Sequence, residues 1–176
     1  MAIYKLFVPL QAVGANLVYF DLFNVADNGA YMQVLSVVPV VSGATAVTGV
    51  VSVDLFLTRT SAVGTGGTAA TIEGTSLTAA TFSAFDNNQP LRAASVSARL
   101  TPTGGATAGA VISSRSVFTE ETNSGSYNQI SDMVRGLYPD LPGLVVAGGT
   151  GIRVVQGSVA SVGNIGFDVF FKLDQR

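Results

Sequence analysis

The stretch VGTGGTAAT, Val63–Thr71, sets Gly64, Gly66 and Ala69 at the spacing G-x-G-x-x-A. Glycines at that spacing can let backbone N–H groups approach a pyrophosphate, with a helix N-terminus behind them to attract the charge. The chemistry needs a strand before the glycines and a helix after them. Val50–Arg59 supplies an alternating strand. Beyond the motif, TAATIEGTSLTAATF is rich in Thr and contains Gly74, which predicts no helix. PTGGAT at Pro102–Thr107 and AGGTG at Ala147–Gly151 have the same composition between other strand-like runs. All three stretches are therefore expected to be loop tips, where positive φ is tolerated. No nucleotide or other cofactor is expected.

Glu120 and Glu121 are adjacent acids. A glycosidase pair must face one bond across about 5 to 10 Å, whereas neighbours on an extended chain point to opposite sides. They read as solvated acids at a loop entry. Asp54 and Asp168 fall on outward strand positions, facing solvent or one of Arg59, Arg99, Arg115 and Arg153. The chain has no histidine and no cysteine. That removes a Ser–His–Asp triad, thiolate nucleophiles, and metal sites built on imidazole or thiolate. Lys5 and Lys172 are the lysines, and neither lies in a catalytic motif. No catalytic residue, metal site or enzymatic activity is expected.

The elements that would position any such residues are short β segments. In VVSVDLFLTR, Val50–Arg59, residues Val51, Val53, Leu55 and Leu57 share one face, and Ser52, Asp54 and Thr58 the other. NIGFDVFFKLD near the C-terminus repeats the alternation, with Ile165, Phe167, Val169, Phe171 and Leu173 inward. Phe56 and Phe170 break the pattern by falling on the outer faces, and are expected to contact a partner. NLVYFDLFNVADNGAYMQVLSVVPVV reads as two strands of a hairpin turning at Asp27-Asn28-Gly29, with Pro39 at an edge or strand end. Further strands are expected at Ile3–Val8, Ser76–Phe85, Val96–Leu100, Ala110–Phe118, Leu144–Val146 and Ile152–Val159. One helical turn is expected at Ser131–Gly136, capped by Ser131. The polar segment Glu120–Pro142 is the longest break in the strand pattern, and its Tyr127 and Tyr138 are further candidates for partner contact. Many strands without alternating helices predict an all-β, antiparallel β-sandwich in one domain over residues 1–176, with a jelly roll as the expected topology. Residues 1–9 would be an N-terminal arm or the first strand.

The 176 residues suffice for one domain with a substantial core. Charged residues are 11% of the chain, against about 25% in ordinary domains. A surface so poor in charge must be covered by Ser, Thr, Asn, Gly and Ala, or be buried in part against a partner. With a net charge of −2 and no basic run, nucleic acid is not an expected partner. No apolar run reaches the ~20 residues of a membrane helix, and Pro9 and Gln11 interrupt the signal-like N-terminus. A soluble protein made in the cytoplasm, with no membrane partner, is expected.

Three segments carry a family resemblance. They are YFDLFNVADNGAYMQVLSVVPVVSGATAVTGVVSVDLFLTRTSAVGTGGTAAT, RSVFTEETNSGSYNQ and GIRVVQGSVASVGNIGFDVFF. Together with the Ala-, Val-, Thr- and Gly-rich texture of the chain, they resemble jelly-roll capsid decoration, or cement, proteins of bacteriophages. The resemblance implies a non-enzymatic virion protein on the outer capsid surface. It implies a homotrimer that contacts the major capsid protein and braces the assembled shell. On that basis the arm Met1–Pro9 and the segment Glu120–Pro142 would touch the capsid. Two other readings compete: a carbohydrate-binding or host-recognition module of a phage tail, and a β-sandwich hydrolase using carboxylates.

Overall fold

Period-two alternation and β-branched residues give twelve strands and no helix among the described residues. The structure, a computed structural model, describes residues 2–25, 31–42, 50–85, 91, 95–105, 108–120, 132–136, 140 and 142–173. The strands are β1 (Ala2–Ala12), β2 (Val18–Asn24), β3 (Met32–Ser42), β4 (Val50–Thr60), β5 (Thr68–Ala69) and β6 (Thr71–Ile72), followed by β7 (Thr81–Ala84), β8 (Val96–Leu100), β9 (Ala108–Glu120), β10 (Leu144–Val146), β11 (Thr150–Gln156) and β12 (Asn164–Leu173).

The strands form a two-layer β-sandwich. The first sheet runs β10-β3-β12-β1-β7-β6 and the second β5-β8-β2-β11-β4-β9. All pairings are antiparallel except β6 with β7. Eight strands pair as a ribbon folded back on itself. β1 pairs with β12, β2 with β11, β3 with β10 and β4 with β9. Closing contacts set β12 against β3 and β11 against β4. The short strands β5 to β8 extend the β1 and β2 sides.

The inward residues interdigitate as the alternation predicts. Tyr4, Leu6 and Val8 of β1 and Phe167, Val169 and Phe171 of β12 are buried against Phe20, Leu22, Leu55, Leu57, Ile152 and Val154 of the second sheet. Phe167 sits at the centre, its ring centroid 5.3 Å from that of Tyr19 and 5.4 Å from that of Phe20. These tilted aromatic contacts add to the area term. Several buried polar groups find partners within and between the layers. Tyr19 Oη donates to Gln156 Oε1 at 2.8 Å, the same oxygen accepts the Gly14 N–H at 2.8 Å, and Asn24 Nδ2 donates to the Val146 carbonyl at 3.0 Å. Burial pushes the Tyr19 hydroxyl far above its usual range, so it remains a donor.

The hairpin and the cap of the short turn need correction, and two open alternatives are decided, residues 2–9 as the first strand and Pro39 at a locally unpaired flank. β2 and β3 are not a hairpin: β2 lies in the second sheet and β3 in the first, so the chain crosses between layers. β2 pairs instead with β8 and β11, and β3 with β10 and β12. Ala2–Pro9 is not a free arm, because β1 is held between β12 and β7. Pro39 sits in the interior strand β3, but β10 pairs only with Met32–Val34, so the flank of β3 at Pro39 that faces away from β12 carries no paired strand among the described residues. The turn at 132–136 is a single i→i+4 turn, with Gly136 N donating to the Asp132 carbonyl at 2.8 Å. Its cap is Asp132, whose Oδ1 accepts the N–H groups of Val134 and Arg135, and also that of Val37 on β3. The turn thereby places Met133 in the core at 0% exposure.

Candidate interaction surface

The two outer faces of the sandwich differ in chemistry. On the first sheet, β1 turns Ile3, Lys5 and Phe7 outward, β12 turns Asp168, Phe170 and Lys172 outward, and none of the six is fully buried. Phe170 lies here as the sequence predicted, and its ring meets Phe85 edge-on with centroids 5.7 Å apart. Lys5 Nζ reaches Asp168 Oδ1 at 2.8 Å. It also lies 5.8 Å from the Phe7 centroid and 5.7 Å from that of Phe170. The charge on this part of the face is thus neutralised internally and shielded by aromatic rings.

Next to the ion pair runs a groove of about 470 Å³, walled by Phe7, Pro9, Leu10, Val40 and Leu77. Its rim is unusually open for aliphatic residues, with Leu77 82% and Leu10 44% exposed, and Phe85 beyond the ion pair is 68% exposed. Scattered surface apolar residues are ordinary. Here Phe7, Pro9, Leu10, Val40 and Leu77 adjoin one another around a single groove.

The outer face of the second sheet is polar where β4 meets β9, although Val111 of β9 is 59% exposed. Ser52, Asp54, Ser114 and Ser116 are exposed, and Ser116 Oγ donates to Asp54 Oδ1 at 2.6 Å. Phe56 is half-buried on this face, paired between Ser114 and Val155. Phe56 and Phe170 therefore sit on opposite sides of the sandwich and do not form one site. Asp54 accepts from Ser116, and Asp168 pairs with Lys5. Glu120 ends β9 opposite Val50; Glu121, Tyr127 and Tyr138 lie outside the described residues.

The glycine motif resolves at a buried aspartate. Asp21, 0% exposed on β2, faces outward from the second sheet beneath two loops. Its Oδ2 accepts the Gly64 N–H at 2.7 Å and its Oδ1 the Arg99 N–H at 2.8 Å. A Cβ on Gly64 would collide with Asp21 Oδ2 and stand 2.7 Å from Pro102 Cβ. Gly66 and Gly67 take positive φ, 71° and 60°. Thr65 then joins the neighbouring loop, its N–H donating to the Gly104 carbonyl at 2.6 Å. The glycines thus admit an anion closely, as the motif suggests, but the anion is the chain's own carboxylate. Burial raises the Asp21 carboxyl above its ordinary range, partly offset by the two amides and by Arg99.

Among the described residues no group of three or more His, Cys, Asp or Glu could hold a metal ion. No helix is long and apolar enough to cross a membrane. No protein-family model, curated protein or solved structure matches the chain.

Two features escaped the sequence reading. Asp21 stands in the apolar run VYFDLF, where a lone carboxylate signals a buried partner. Leu77 and Phe85 end a segment read as one strand, Ser76–Phe85, of which only Thr81–Ala84 pairs. The residues outside that pairing are the ones that project.

Proposed function

We propose that this chain is a non-enzymatic structural protein of a virion, a capsid decoration protein that stabilises the assembled shell by binding major capsid subunits. The observation that carries the reading is the apolar strip on the outer face of the first sheet, with its ion pair closed internally. A rigid element with such a face is built to be covered. The folded-back pairing supports it further, since β1–β12, β2–β11, β3–β10 and β4–β9 follow the strand order of a jelly roll with β5–β8 inserted between β4 and β9, an architecture shared by viral capsid domains. A ligand that binds only the assembled shell stabilises it by mass action, and repetition over the shell lets each contact be weak.

The test is co-sedimentation of the full chain with assembled shells and, separately, with unassembled capsid subunits. Association with shells and a higher shell melting temperature are expected. Failure to bind shells at saturating protein contradicts the reading.

A further inference from the structure

We propose that two copies of this chain form a twofold dimer through the outer face of the first sheet, with Phe85 of each copy seated in the Phe7–Leu10–Val40–Leu77 groove of the other. The proposal names the occupant of the strip on which the capsid reading rests: a second copy covers this face, and the paired unit would present its remaining surfaces to the shell.

The face carries a knob, a hole and a charge pair in line. The knob is Phe85, whose N–H donates to the Ile3 carbonyl at 2.9 Å. The hole is the groove, which reaches Leu10. Ile3 and Leu10 are about 20 Å apart along β1 at the rise of an extended chain. Midway lies the Lys5–Asp168 ion pair, with Asp168 in register with Phe7. A twofold axis in the plane of the interface, crossing β1 at this ion pair, carries the knob of one copy over the hole of the other. It does so at both ends at once, as an isologous contact requires.

Charge complementarity selects a second copy as the occupant. The same rotation sets Lys5 of one copy over Asp168 of the other, so each charge gains a second counter-charge as water leaves. An unrelated apolar partner would instead bury the ion pair with no new counter-charge. The groove, at about 470 Å³, has ample room for a phenyl ring.

Sedimentation velocity of the full chain is expected to show a concentration-dependent dimer. Leu77→Asp and Phe85→Asp alter exposed side chains, so circular dichroism should remain native while dimer affinity falls by at least about thirtyfold, the loss typical of a central anchor. The decisive arm is charge exchange. Lys5→Asp places two acids on the face and Asp168→Lys two bases. Each variant alone should be monomeric, and an equimolar mixture should form heterodimers. A wild-type monomer, a trimer, a dimer indifferent to Leu77→Asp and Phe85→Asp, or a mixture that stays monomeric would overturn the proposal. A dimer that fails to bind shells would leave it intact while contradicting the capsid reading.

Discussion

Replacing Asp21 by alanine tests whether the glycine loops are held by a buried carboxylate. The substitution leaves the N–H groups of Gly64 and Arg99 without their acceptor, where the hydrogen bonds are now 2.7 and 2.8 Å. An unsatisfied buried donor costs about 1–3 kcal/mol. Two donors, less the relief of no longer burying a carboxylate that desolvation already disfavours, give a net loss of about 2–4 kcal/mol. Gly64→Ala attacks the same contact from the other side, because the new methyl group collides with Asp21 Oδ2. In the Asp21→Ala background that collision is gone, and only the 2.7 Å approach to Pro102 Cβ remains. The double variant should therefore lose less than the sum of the singles, by at least about 1 kcal/mol. Urea unfolding of the four proteins measures the cycle. Additivity within about 0.5 kcal/mol would refute the contact as described.

The remaining predictions follow from the same geometry. The Asp21 carboxyl is raised in the folded chain, so the fold binds its proton more tightly than the unfolded chain does. Its contribution to stability is therefore fully present below the unfolded value and is lost as pH rises through the folded one. The unfolding free energy of wild type minus that of Asp21→Asn should accordingly decline from about pH 3.5 towards 7; a rise over that interval would contradict the burial term. Tyr19→Phe removes one donor to Gln156 while Gly14 keeps its bond, so chemical denaturation should show a loss of about 1 kcal/mol. Met133→Ala empties a fully buried site under β3 and should cost about 2–4 kcal/mol by the same method, whereas an effect below 0.5 kcal/mol, roughly the scale of a surface change, would mean the 132–136 turn is not packed as described.

Much of the sandwich was legible because alternation is a local signal. Val96–Leu100 and Leu144–Val146 appear as strands with the bounds their sequences indicated, β4 keeps Val53, Leu55 and Leu57 inward, and β12 keeps its inward set. The partner of each strand was not legible. Asn28-Gly29 is a strong hairpin signal, yet β2 and β3 separate into different sheets, because pairing partners are chosen by non-local burial. At the surface, the outward position of Phe170 followed directly from period two. Its company of Phe85, Phe7 and the Lys5–Asp168 pair did not, since those residues converge from two strands and the end of a third. Asp21 was hidden for a related reason: its partners, Gly64 and the Arg99 amide, are 43 and 78 residues away in sequence.

A cryo-microscopy reconstruction of virus particles bearing the protein tests the central claim most directly. The account predicts sandwich-shaped density on the exterior of the shell, with the Leu10–Val40–Leu77 and Phe85–Phe170 face covered by a neighbouring chain. Particles without such density, or density in which that face lies open to solvent while the second sheet makes the contacts, would contradict it.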